Sequence, residues 1–126
     1  MKKNILVIDD DESIRFILKN ILQKDYNVET CENGNQGLIY LQNGNIPDLI
    51  ILDLVMPEID GFDFLKNIKK STYFNSIPII VLSAKENSVE KVKCLKLGAD
   101  DYIVKPFNPE ELLLRTLSLF KRAKLI

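Results

Sequence analysis

Histidine is absent from this 126-residue chain, and cysteine occurs only twice. Without an imidazole, histidine metal sites and Ser/His or Cys/His nucleophilic catalysis are excluded. Cys31 and Cys94 fit neither a CxxC nor a Cys/His metal spacing, and both lie in apolar patterns that suit reduced, buried thiols of a cytosolic protein. Neither sign of charge is in excess. With 17 Lys and Arg against 18 Asp and Glu, the net charge of -1 argues against a broad footprint for nucleic acid or an anionic membrane. No apolar run is long enough to cross a bilayer. The opening "MKKNILVIDDDE" has only four apolar residues in a row before a block of acid, which is no signal peptide, so a cytoplasmic location is expected. Linkers, low-complexity tracts and internal repeats beyond a strand-helix unit are also missing, so residues 1–126 are expected to form one domain with its own core.

Three short runs lack the alternation of a half-exposed strand: "NILVID" (4–9), "DLIILDL" (48–54) and "IPIIVLSA" (77–84). Such runs suit strands covered on both faces, as in a parallel sheet. Two weaker runs, "NVETC" (27–31) and "DYIVK" (101–105), bring the candidate strands to five. Between them, Ile14, Ile17, Leu18, Ile21 and Leu22 follow helical spacing after the polar cluster "DDDES", which can cap a helix start. Further helices are expected over 34–41, 61–70, 88–97 and 109–124, several bounded by Gly or Pro. Strict alternation of strand and helix predicts a doubly wound α/β domain with a five-stranded parallel sheet and five helices.

In such sheets the working groups sit just beyond the carboxyl ends of the strands. Asp9 and Asp10 follow the first strand, Asp53 ends the third, Ser83 the fourth and Lys105 the fifth. Asp53 interrupts the apolar run "IILDLVMPEIDG", and a lone buried carboxylate is unfavourable by several kcal/mol unless something compensates it. Three carboxylates beside one ammonium still call for a cation, and hard oxygen ligands suit Mg²⁺. A lysine beside a metal makes sense when both bind one anionic ligand, and a phosphoryl group on Asp53 would be that ligand. Taken singly, each residue has a plain structural role: turn or cap for the acids, an extended residue before Pro106 for Lys105. Five at the correct ends of four strands are hard to obtain by accident.

The motifs "ILVIDDDESIR", "LIILDLVMPEIDG", "IIVLSAK" and "GADDYIVKPF" resemble those of the receiver domain of two-component response regulators, the CheY-like, flavodoxin-like fold with sheet order 2-1-3-4-5. The resemblance covers nearly the whole chain. It implies that Asp53 accepts a phosphoryl group from a sensor histidine kinase or a small phosphodonor, making the chain a signalling phosphoacceptor that assists its own phosphorylation and slow dephosphorylation. It implies Mg²⁺ held by Asp10, Asp53 and the backbone carbonyl of Val55, with Asp9 acting through water. Lys105 would hold one phosphoryl oxygen and Ser83 would move to hydrogen-bond another, while Tyr102 matches the aromatic switch that turns inward with it. A cis Lys105–Pro106 peptide is implied as well. Val55 and Lys85 depart from the commonest pattern at positions that tune hydrolysis of the acyl phosphate.

The last third, "GADDYIVKPFNPEELLLR", resembles receivers of the winged-helix (OmpR/PhoB-type) transcription-factor subfamily, which dimerise through the fourth helix, fifth strand and fifth helix. The matching charges are Lys91, Asp100, Asp101, Glu111, Arg115 and Arg122, whereas Lys96 and Leu117 depart. Val92 and Leu95 lie nearly opposite Cys94 and Leu97 on a helical wheel, which gives that helix a second apolar face. A homodimer formed on phosphorylation, with Asp101 and Arg115 pairing between subunits, is expected, and DNA would be reached only through an output domain. Rival readings fare worse. A DxD aspartyl-phosphate hydrolase needs an acid where Val55 stands, and a flavin-binding loop would be rich in Ser, Thr and Gly where "DDDES" stands. An unphosphorylated pseudo-receiver and a complete single-domain chemotaxis-type regulator are the alternatives that a phosphorylation assay would separate.

Overall fold

The computed structural model describes residues 1–54, 60–84 and 88–122. Five strands, β1 (Asn4–Ile8), β2 (Asn27–Cys31), β3 (Leu49–Asp53), β4 (Ile79–Ser83) and β5 (Asp101–Val104), alternate with five helices, α1 (Glu12–Leu22), α2 (Gly34–Gln42), α3 (Gly61–Lys70), α4 (Ser88–Lys96) and α5 (Pro109–Arg122). All strand pairs are parallel, and the sheet runs β2-β1-β3-β4-β5, the expected order.

Side-chain alternation along each strand divides the core in two. Leu6, Ile8, Ile50, Leu52, Ile79 and Val81 point to one face and pack with Leu41, Phe64, Ile68 and Cys94 of α2, α3 and α4. Ile5, Val7, Leu49, Ile51, Ile80 and Leu82 point to the other and pack with Leu18 and Leu22 of α1 and Leu112, Leu119 and Phe120 of α5. Both faces are therefore covered, which is why these strands read as unbroken apolar runs.

Several boundaries fall inside the expected ones. β1 ends at Ile8 because the Asp9 carboxylate accepts a hydrogen bond from the Asp11 amide and turns the chain. β4 starts only at Ile79, since Pro78 has no amide to donate. α1 begins at Glu12, capped by the Asp11 side chain, which accepts from the amides of Ser13 and Ile14. Ile17, expected on the buried stripe of α1, is 43% exposed beside the exposed Phe16; the stripe is narrower than the sequence suggested, and Leu18 and Leu22 carry the burial. α4 stops at Lys96, and Gly98 beyond it has φ 110°, a conformation other residues rarely adopt. α5 ends at Arg122, and its expected extension to 124 lies outside the described residues. The Lys105–Pro106 peptide is cis, as expected.

Candidate functional site

The sheet reverses its winding between β1 and β3, and the carboxyl ends of these strands meet there: Ile8 pairs with Leu52, one residue before Asp53. Asp9 and Asp53 are both buried, at 1% and 6% exposure, whereas Asp10 faces solvent. One carboxylate oxygen from each of the three lies within 4.8 Å of the other two. Lys105, just past β5, extends its ammonium to 2.9 Å from Asp9 Oδ2 and 3.4 Å from Asp53 Oδ1. Arg15, which the sequence reading passed over, donates from Nη1 to the Asp9 carbonyl at 2.7 Å and so fixes the acidic turn against α1.

The electrostatics of this group are unbalanced. Burial pushes the Asp53 carboxyl up, the Asp9 charge adds to that, Lys105 opposes, and Asp10 adds a little, leaving Asp53 at about 6. Burial lowers the Lys105 ammonium, but the hydrogen bond and charge of Asp9, with the charge of Asp53, outweigh it and the net shift is upward. One lysine thus compensates only part of three carboxylates, and a divalent cation coordinated by oxygen fits the remaining charge. Asp10, exposed at the rim, is where such an ion can be approached from solvent.

Close backbone approach supports the same corner. The Gly61 amide donates to the Leu54 carbonyl at 2.9 Å, and a Cβ on Gly61 would stand 2.6 Å from the Asp53 carbonyl oxygen and 2.4 Å from the Leu54 Cα. α3 can start this close to Asp53 only with glycine there.

Ser83 is fully buried at the end of β4, and Tyr102 lies inward in β5 with little exposure. A residue unforeseen from the sequence joins them. Glu90, in the first turn of α4, accepts from Ser83 Oγ at 2.7 Å and from the Tyr102 hydroxyl at 3.0 Å, both on Oε1. A signal for it existed: Glu90, Cys94 and Leu97 are spaced i, i+4, i+7, so an acid shares the buried face of α4. Val55 and Lys85, and with them the expected carbonyl ligand of Val55, lie outside the described residues.

Of the residues expected at an interface, Val92 and Leu95 are 48% and 42% exposed on α4, opposite the buried Cys94. Lys91, Glu111 and Arg122 are exposed. Asp101 and Arg115 pair within the chain, Arg115 Nη1 lying 3.0 Å from Asp101 Oδ2, and the Arg115 Nε reaches Glu111 at 3.0 Å. Asp100 is engaged too, its Oδ2 accepting from the Ile79 amide at 2.8 Å. Asp101 and Arg115 are 14 residues apart on different elements, which hid their intrachain pairing from a reading of the sequence, whereas Glu111 and Arg115 meet at the i, i+4 spacing of one helix.

Among the described residues no helix is long and apolar enough to cross a membrane. Residues 5–116 match the family model for the response regulator receiver domain. The "Probable transcriptional regulator ycf27" of Cyanophora paradoxa is 42% identical over 124 residues, covering 98% of this chain and 50% of that protein. The "Alkaline phosphatase synthesis transcriptional regulatory protein PhoP" of Bacillus subtilis is 38% identical over 126 residues, covering 99% of this chain and 51% of that protein. The chain therefore spans about half the length of these curated relatives. The solved structure of the "Chemotaxis response regulator CheY4 of Vibrio cholerae" superposes with a TM-score of 0.84 at 35% identity, covering 94% of this chain and 98% of that one. The acidic corner at the β1/β3 switch point, the lysine beyond β5 and these matches lead to one conclusion: the chain belongs to the response regulator receiver domain family of two-component signalling.

Proposed function

We propose that Asp53 is the phosphoryl acceptor of this receiver, that Mg²⁺ is its cofactor, and that a sensor histidine kinase is its donor. The observation that carries the reading is the buried Asp53 carboxylate, raised to about 6, facing Lys105 at 3.4 Å beside Asp9 and Asp10. At neutral pH most Asp53 is ionised, and its oxygen is available as the nucleophile. The new bond forms between this oxygen and phosphorus while the phosphorus–nitrogen bond of the donor breaks, its electron pair remaining on the donor imidazole. Lys105 offers an ammonium to the transferred group, and its bonds to Asp9 and Asp53 hold it in place beforehand. Asp10, Asp53 and the Val55 carbonyl would hold Mg²⁺, with Asp9 acting through water. The ion would offset charge on the phosphoryl oxygens, where most acceleration of phosphoryl transfer arises. The chain is a signalling acceptor that assists its own phosphorylation and slow dephosphorylation, Ser83 and Tyr102 forming the switch.

The same reading places output on α4, β5 and α5, with the exposed Val92 and Leu95 as the apolar part of a phosphorylation-dependent dimer contact. Lys91, Asp100, Asp101, Glu111, Arg115 and Arg122 would form its charged surround. The deciding experiment is intact-mass measurement after incubation with acetyl phosphate and Mg²⁺. A phosphoryl adduct that disappears in Asp53→Asn is expected, and no adduct in the parent chain would overturn the assignment.

A further inference from the structure

Ser83 has one hydroxyl proton, and in this structure it is already committed. Oγ of Ser83 donates to Glu90 Oε1 at 2.7 Å, and the same oxygen accepts from the Tyr102 hydroxyl at 3.0 Å. The three groups come from β4, α4 and β5, and Ser83 and Tyr102 are buried while Glu90 is half-buried. Hydrogen bonds to a carboxylate are short and about twice as strong as neutral ones.

We infer that Glu90 is a positioning residue that latches the receiver in its resting arrangement, holding the Ser83 hydroxyl and the Tyr102 hydroxyl on one carboxylate oxygen so that release of one changes the bonding of the other. The inference rests on Asp53 being the phosphoryl acceptor. For Ser83 to donate to a phosphoryl oxygen on Asp53, its proton must leave Glu90, so two anions compete for one donor. Because Tyr102 bonds the same oxygen and also interacts with Ser83 by a side-chain hydrogen bond, release of Ser83 changes what surrounds the Tyr102 hydroxyl at the same moment. Because Glu90 lies in the first turn of α4, it also alters what anchors that end of the helix. A carboxylate four residues before the buried Cys94 thereby couples a hydroxyl at the phosphoryl site to the helix that presents Val92 and Leu95. The latched population reduces the apparent affinity for any phosphoryl group by the fraction of molecules it withholds.

Calorimetric titration with beryllofluoride in excess Mg²⁺ tests the latch, comparing the parent chain, Glu90→Gln, Glu90→Ala, Ser83→Ala and the two Ser83→Ala/Glu90 double variants. Glu90→Ala is expected to bind about 10-fold tighter than the parent, and Glu90→Gln, which keeps a neutral acceptor, is expected to lie between them. In the Ser83→Ala background the gain from either substitution at Glu90 should vanish, because no hydroxyl remains to be released. A merely structural Glu90 would not give that dependence on Ser83. Parent binding with no gain at Glu90, or an equal gain with and without Ser83, overturns the latch alone. Failure of the parent chain to bind beryllofluoride at all overturns the acceptor reading beneath it.

Discussion

Asp53 is the one charged residue in β3, and among the described residues Lys105 offsets its charge only in part. Its carboxyl sits at about 6 in the folded chain against an ordinary value of 3.8. A carboxyl whose pKa rises on folding stabilises the fold in its protonated form. That contribution is complete below about pH 3.8 and is lost as pH rises through about 6. Asparagine mimics the protonated group, so with a chelator present Asp53→Asn should be more stable than the parent at pH 8 by about 1–3 kcal/mol. Denaturant unfolding at several pH values checks this, and the two chains should converge near pH 4. Lys105→Met acts in the opposite direction. It strips the partner from two buried carboxylates, and a loss of about 2–4 kcal/mol at neutral pH is expected, with part of it recovered in the Asp53→Asn background. Equal losses in both backgrounds would mean that the pair at 3.4 Å carries no coupling.

At the scale of elements, adjacent acids in one turn perform different tasks. Asp11 caps α1 by accepting from the Ser13 and Ile14 amides, whereas Asp10 points to solvent beside Asp53. Asp11→Ala should therefore lower stability by about 0.5–2 kcal/mol and leave Mg²⁺ affinity nearly unchanged. Asp10→Ala should do the reverse, and Mg²⁺ titration alongside thermal unfolding separates the two. Equal loss of Mg²⁺ affinity in both would put the acidic turn out of register. The start of α3 is as tightly constrained: Gly61→Ala would push a methyl against backbone atoms of Asp53 and Leu54, which have no rotamer to yield. A destabilisation of about 1–3 kcal/mol together with weakened Mg²⁺ binding is the expected result. The sequence shows the strands because burial on both faces demands unbroken apolar runs, and it shows Asp9, Asp53, Ser83 and Lys105 because they break those runs at the carboxyl ends. It hides strand ends, which depend on side chains such as Asp9 capturing a nearby amide. It also hides Glu90 and Arg15, since an acid or base on a helix reads as a solvated face until a neighbouring strand is seen to lie beneath it.

For the molecule as a whole, the layering leaves α4 with one face against the sheet through Cys94 and another bearing Val92 and Leu95. Exposed apolar side chains on a helix do not by themselves require a partner, yet here they lie on the helix that Glu90 ties to Ser83 and Tyr102. Activation is expected to shift the chain from monomer toward a twofold dimer through this face. A coupling of about 1–3 kcal/mol corresponds to roughly a 5- to 150-fold change in the dimerisation constant. The charges contribute differently from a simple reading of their signs. Arg115 is already bound to Asp101 and Glu111 within the chain. Pairing across a twofold axis would then exchange one exposed ion pair for another, with little net gain. The apolar contact must supply most of the affinity, and the arginine mainly the register. Sedimentation with and without beryllofluoride should show dimer on activation in the parent chain, a few-fold weaker dimer in Arg115→Ala, and monomer in Leu95→Asp. A parent chain that stays monomeric when activated, or a Leu95→Asp chain that dimerises as well as the parent, would remove this face from the dimer contact.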